Sequence, residues 1–431
     1  MKRTLVALVT ALTALAAGTA VAGASSNRLA SSVSLDAEHA HFSGAVVIDW
    51  NRELLSIVRT KGAQPATIHP TRSFAILHAA IYDAVVSITG DAPAYLFRVR
   101  SPNDARPDAA AAQAGHDTLA ALYPTVTPAL DQVLASELAD IPASDAKQDG
   151  IRVGHDAAAR MLRVRADDGS GATPPLFAPG TDPGDYQLTP PLFAQPVFTH
   201  WAKVTPFVLH DADRFRPGPP PSLKSVVYAT SLNEAKSVGQ DVSTTRTPEQ
   251  TLIARFWAAP IWNYWNEIAQ NAALAHGTDL LRTASLFANL NLSFADSAIA
   301  FYDAKYTYQL WRPITAIREA DTTGNPLTIG DPTWTPLATT ALDPSYPGAH
   351  STISAAGAAV LSSFFGNSDS ISVMSEVLPG LVRTFDGYHD VAVEAGLSRI
   401  FAGQHTRIDH IAGLQLGHDV AELVLDRLSP Q

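Results

Sequence analysis

Apolar residues recur at three- and four-residue intervals along most of the chain, the pattern of helices that bury one face. It predicts helices over 46–60, 69–88, 106–123, 126–140 and 143–166, with Pro70 suited to the first turn of the second. The pattern resumes over 224–240, 247–275, 278–291 and 293–311, then over 348–365, 370–383, 388–401 and 408–428. The N-terminal half has no long period-2 segment, and no repeat of fixed length is evident. The expected fold class is all-α, built of helical bundles.

Between Asp168 and Ser222 the periodicity lapses. Twelve prolines lie between Pro174 and Pro221, with PPLFAP at 174–179 echoed by PPLFAQP at 190–196. This reads as an extended connector on the surface. The alternative is that Phe177, Phe193 and Phe198 line a substrate mouth. The expected organisation is a signal peptide (1–24), an N-terminal helical region (25–167), a Pro-rich connector (168–222) and a C-terminal helical bundle carrying the site (223–431).

The signal peptide is read from Lys2-Arg3, an apolar run from Leu5 to about Ala17, and small residues near Ala22 and Ala24. It implies a secreted, extracellular protein, and no other apolar run reaches membrane length. With 431 residues, 46% of them hydrophobic, the chain can bury a large core. It has no cysteine. Disulfides, thiolate catalysis, zinc–thiolate sites, iron–sulfur clusters and covalently attached haem are thereby excluded, and any metal must take N or O ligands. A formal net charge of −11 argues against nucleic acid or an anionic membrane as partner. Against that background, clustered positive charge stands out.

Beyond Lys236 the only lysine is Lys305, and from residue 301 onward only six arginines join it. Lys305 and Arg312 are seven apart in KYTYQLWRP, a spacing that puts them two turns apart on one helix face, with Pro313 ending or kinking the helix. In SRIFAGQHTRID, Arg399 precedes His405 by six residues, and Asp409 follows four later. On a helix that carboxylate would hold the imidazole and fix its tautomer. PSYPGAHS (344–351) offers backbone N–H groups at Gly348 and Ala349, then His350, where an Ala-rich helix begins. Each segment alone reads first as a solvated face or a packed pair. Together they form a cationic cage with an orienting carboxylate, suited to a tetrahedral oxyanion such as phosphate or vanadate.

These segments resemble the three-part signature K-x6-R-P, P-S-G-H, S-R-x5-H-x3-D of the vanadium-dependent haloperoxidases and their relatives, the type 2 phosphatidic acid phosphatases. The motifs lie within residues 296–412. Trp50-Asn51 and the helix from His69 to Ala84 are similar as well. The central motif departs, reading Pro347-Gly348-Ala349-His350. The resemblance implies vanadate as cofactor, with no haem. His405 would be the ligand to vanadium and Asp409 would hold its ring. Lys305, Arg312 and Arg399 would neutralise the vanadate oxygens, with the Gly348 and Ala349 amides as further donors. Lys305 would also polarise peroxide, and His350 would handle protons. Hydrogen peroxide, halide and an organic acceptor are the implied partners. Pairing into a homodimer is an expectation for large helical proteins of this kind.

The same residues also suit a secreted acid phosphatase, with a phosphohistidine at His405 and His350 protonating the leaving alcohol. A non-catalytic oxyanion-binding protein is a third reading. Gly348 lacks the hydroxyl the family places there, a loss of roughly 1–2 kcal/mol in vanadate binding. Asp343 is expected to cap the turn before Pro344; otherwise it stands near the site as a base or repels halide. His116, His155 and His418 read as packing or surface residues, and 256–266 as inter-helix core.

Overall fold

The computed structural model describes residues 42–63 and 68–428. The signal peptide therefore lies outside the described residues. Among the described residues are thirteen α-helices and one two-stranded hairpin, so the fold is all-α. The N-terminal helices are α1 (Ala45–Arg59), α2 (His69–Thr89), α3 (Pro107–Leu122), α4 (Thr127–Ala139) and α5 (Asp145–Arg165). The later ones are α6 (Val226–Val238), α7 (Pro248–Phe256), α8 (Ile261–Ala275), α9 (Leu280–Tyr308) and α10 (Pro313–Arg318), followed by α11 (Ala349–Phe365), α12 (Tyr388–Phe401) and α13 (Arg407–Leu428).

Two helices, α2 and α9, are buried on nearly all sides, which places them at the centre. α2 packs on α3, α5 and α9; α9 packs on α11 and α13; α11 is flanked by α8, α12 and α13. One continuous hydrophobic core draws on both the early and the late helices. Among the described residues no helix is long and apolar enough to cross a membrane.

Several polar side chains inside this core pair with one another. Asn51 Nδ2 lies 2.8 Å from His78 Nε2 and donates to Asn266 Oδ1 at 2.8 Å, while Gln270 Nε2 donates to Asn51 Oδ1 at 2.6 Å. Two carboxylates clamp loops to the central helices. Asp83 of α2 accepts the successive amides of Tyr95, Leu96 and Phe97 at 2.6, 3.1 and 3.3 Å. Asp296 of α9 accepts those of Phe207, Val208 and Leu209, each at 2.7 Å. The Tyr95 hydroxyl, donating to the Phe207 carbonyl at 2.7 Å, ties the clamps together.

Two expectations are corrected. The predicted helices 278–291 and 293–311 are one helix that stops at Tyr308, where Gln309 takes a left-handed conformation (φ 47°). Residues 370–383 are not helical: Ile371–Met374 (β1) pairs antiparallel with Val382–Phe385 (β2), Ile371 facing Phe385. Pro379-Gly380 in the intervening turn, with Gly380 at φ 81°, forbids the helix. The Pro-rich segment runs over the surface, with Leu176, Leu192 and Phe193 exposed, and is anchored as a strap at a few buried positions. Tyr186, Phe198 and Trp201 are buried in it. The Tyr186 amide donates to the Gln309 carbonyl (2.6 Å), the Trp311 amide to Gly184 (2.9 Å) and the Val197 amide to Leu342 (2.9 Å). The strap thus roofs the loops that follow Lys305 and precede His350.

Candidate active site

The chain break at Gln309 decides how the cations are presented. Lys305 lies in the last turn of α9, but Arg312 is the N-cap residue of α10 in extended backbone. The expectation of one shared helix face is therefore wrong. The two side chains converge because Leu310 turns back, its carbonyl accepting the Ser345 amide at 2.9 Å. Both are buried, Lys305 at 0% and Arg312 at 1% exposure.

The Lys305 ammonium has three protein acceptors: the Pro344 carbonyl, the Ser345 carbonyl at 3.2 Å and Asp343 Oδ2 at 3.3 Å. Burial pushes its pKa down to about 8, with Asp343 opposing. Arg312 donates through Nε to the Asp343 carbonyl (2.7 Å), through Nη1 to the Gln404 carbonyl (2.9 Å), and through Nη2 to Asp343 Oδ1. Nη1 also lies 3.1 Å from His405 Nε2.

That last contact assigns the tautomer. A guanidinium can only donate, so Nε2 of His405 presents its lone pair and the ring proton sits on Nδ1. Nδ1 faces Asp409 Oδ2 at 3.3 Å. Burial, then Arg312, lowers the His405 pKa to about 3, so the ring is neutral. His405 is in the loop just before α13, not on the helix, and Asp409 sits in the first turn. Asp409 Oδ2 also accepts the Thr406 amide and the Ser345 hydroxyl, both at 2.7 Å. The Thr406 bond is half of a capping box, which is why T-R-I-D can both start a helix and aim a histidine. Gly403 makes the approach feasible: its φ is 73°, and a Cβ there would stand 2.4 Å from the Gly239 carbonyl oxygen.

Arg399 ends α12. It is buried, its Nη2 donates to Gln404 Oε1, and its Nη1 is buried without a partner. Burial, followed by repulsion from Arg312, lowers its pKa to about 10. The third wall is the start of α11. The Ala349 amide has no intrahelical acceptor. The Gly348 amide, expected to face the oxyanion, instead donates to the Asp409 carbonyl at 2.9 Å, which removes it from the donor set. His350 Nε2 is 3.2 Å from the Trp257 carbonyl oxygen, so it carries the proton and Nδ1 is the basic atom. Burial, Arg399 and His405 hold its pKa well below the usual histidine range.

The structure thus brings Lys305, Arg312, Ala349, His350, Arg399, His405 and Asp409 together around one spot. It also adds residues that were missed. Gln404 links Arg399 to the Thr339 carbonyl, Ser345 steadies Asp409, and the Trp257 carbonyl fixes His350. Ser345 and Gln404 sit inside the quoted motifs, and their adjacency to Pro344 and His405 was the available signal. Asp343 does not act as a mere turn cap, since it is ion-paired to both Lys305 and Arg312. His116 and His155 belong to a separate cluster around Asp117, away from this site.

Comparison with known proteins places this arrangement. A family model for the second helical-bundle domain of vanadium chloroperoxidase (VCPO) matches residues 285–430, which hold every cage residue. The vanadium chloroperoxidase of Curvularia inaequalis is 25% identical, the match covering 85% of this chain and 79% of that one. A solved structure described as the first bacterial vanadium-dependent iodoperoxidase superposes with a TM-score of 0.76 at 26% identity, covering 90% of this chain and 97% of its own. Over most of its length the chain is thus similar to vanadium-dependent haloperoxidases. A holo-type bacterial vanadium-dependent chloroperoxidase shares the fold, with a TM-score of 0.67 at 16% identity over 84% of this chain and 91% of its own.

The residues fit the oxyanion that names the haloperoxidase family. An orphaned buried guanidinium N–H at Arg399 and a helix-start amide at Ala349 await an acceptor, and the His405 Nε2 lone pair, facing Arg312 Nη1 at 3.1 Å, can be turned to an electrophile. Three cations around a neutral histidine suit a metal oxyanion.

Proposed function

We propose that this protein is a vanadate-dependent haloperoxidase that oxidises halide with hydrogen peroxide. The observation that carries the reading is His405, neutral, with its proton on Nδ1 toward Asp409 and its Nε2 lone pair facing the Arg312 guanidinium. That nitrogen would hold vanadium, while Arg399, Arg312, Lys305 and the Ala349 amide would take the charge of its oxygens. Vanadate bound there supplies a Lewis acid that activates peroxide for oxygen transfer to halide without a change in metal oxidation state. His350, neutral and basic at Nδ1, takes the proton that peroxide must lose and returns it as product leaves. Asp409 keeps the His405 lone pair directed inward throughout. The N-terminal pattern of residues 1–24 supports export, so we place the reaction outside the cell.

The test uses full-length protein freed of vanadium. With orthovanadate added, peroxide-dependent iodination or bromination of a dye is expected, and His405→Ala should abolish it. Hydrolysis of an aryl phosphate that orthovanadate inhibits, with no halogenation of the dye, would overturn the reading in favour of phosphoryl transfer.

A further inference from the structure

Counting donors around the cage exposes an asymmetry. An ammonium has three N–H donors, and those of Lys305 face the Pro344 carbonyl, the Ser345 carbonyl and Asp343. Arg312 gives Nε and one Nη2 donor to Asp343, and Nη1 to Gln404 and His405. Arg399, by contrast, keeps Nη1 free of protein partners. One wall of the cage is already satisfied by an anion belonging to the chain itself.

That anion is held firmly. Asp343 is buried, and its neighbour Leu342 is bonded to Val197 of the strap. Tyr186, Tyr302 and Tyr306 stand around the pair, and burial, with the Asp343 charge adding to it, raises their phenol pKa values. Burial pushes the carboxyl up, but Lys305 and then Arg312 hold it below the usual range, so it stays charged. With Asp409 ionised too, two carboxylates oppose the three cations of Lys305, Arg312 and Arg399.

We propose that Asp343 is a built-in counter-anion that sets which oxyanions the cage accepts, lowering affinity for doubly charged tetrahedral ions far more than for singly charged ones. This rests on the oxyanion reading of the site. A buried charge close to the occupant acts in proportion to the occupant's charge, whereas shape and hydrogen bonding are alike for tetrahedral ions. Asp343 is thus a specificity residue acting on the occupant through its fixed charge.

The experiment compares sulfate, perrhenate and orthovanadate binding to full-length wild type and Asp343→Asn by titration calorimetry, each protein checked by thermal melting. The first two ions keep fixed charges of −2 and −1, so protonation does not blur the result. Asp343→Asn is expected to bind sulfate at least about tenfold tighter and perrhenate no more than about threefold tighter, with orthovanadate between. If the Asn variant does not melt cooperatively, Asp343→Ser is read by the same ratio. An unchanged or lowered sulfate-to-perrhenate ratio in a folded neutral variant overturns the proposal. If wild type and variants bind none of the three ions, the oxyanion reading itself falls, and this inference with it.

Discussion

The loop clamps and the cage both bury carboxylates, yet they treat their charge in opposite ways. Asp83 and Asp296 are held by neutral backbone amides, and burial raises both pKa values to about 6. Asp343 and Asp409 are equally sequestered, but Lys305 and Arg312 around one, and His405, the Thr406 amide and Ser345 around the other, overcome burial and lower them. Hydrogen bonds alone satisfy a buried carboxylate; in this molecule full charges, or an imidazole among the donors, keep it ionised below the ordinary range. The first arrangement serves to pin loops, the second to store charge within the cage.

The comparison is broken most severely at Asp296. Asp296→Ala leaves three amides without an acceptor inside the core and is expected to lower stability by at least about 3 kcal/mol in urea unfolding. Asp83→Ala should cost less, because two of its three bonds are longer.

The pH dependence sharpens the same contrast. Asp296 titrates near 6 when folded and near 3.8 when unfolded, so its contribution is complete below about pH 4 and falls as pH rises through 6. The stability of wild type relative to Asp296→Asn should therefore decline by up to about 3 kcal/mol between pH 4 and 6 and then level off. His405 has the opposite sign. Its depressed folded pKa favours the folded state above the ordinary histidine value, and that contribution is lost as pH falls from 6.5 toward 3. Paired unfolding curves at pH 4, 5, 6 and 7 for wild type, Asp296→Asn and His405→Ala separate the two slopes.

In the cage the effects move from stability to affinity. Asp409→Asn removes the charge that orients His405 and should weaken orthovanadate binding by about 10- to 100-fold, read by calorimetry or vanadium NMR. The smallest expected change is a gain. Gly348→Ser restores a hydroxyl at the helix start. Its Cβ would meet the Asp409 carbonyl oxygen at 3.2 Å, a contact that a small shift relieves. Orthovanadate should then bind about fivefold tighter, near 1 kcal/mol, with the melting temperature little changed.

Much of this was readable in the chain because the helices carry their own punctuation. α2, α11, α12 and α13 were placed within one or two residues by Pro70, the Pro-Gly-Ala turn and the 3.6-residue period. The order and spacing of Lys305, Arg312, His350, Arg399, His405 and Asp409 likewise exposed the cage. What failed was whatever depends on distant partners. Nothing local ends α9 at Tyr308, since Gln309 is neither Gly nor Pro; the strap amide of Tyr186 and the Ser345–Leu310 bond select that bend. The strap itself lacks periodicity, so its buried anchors, Tyr186, Phe198 and Trp201, were invisible. The loss of the Gly348 amide and the pairing of Asp343 are both consequences of which loop lies beside which, and no residue spacing encodes them.

One consequence follows from α9 carrying both the Asp296 clamp and Lys305 on a single buried rod. They are nine positions apart, an axial span of about 14 Å. Adding or deleting one residue in that interval would rotate Lys305 by about 100° relative to the clamp and swing the ammonium away from Pro344 and Ser345. Surface loops can absorb changes of length, but here the count of residues works as a phase setting. The interval from Asp296 to Lys305 is a ruler whose gradation is the helical turn, with the loop at 207–209 fastened at one end and the Lys305 ammonium at the other.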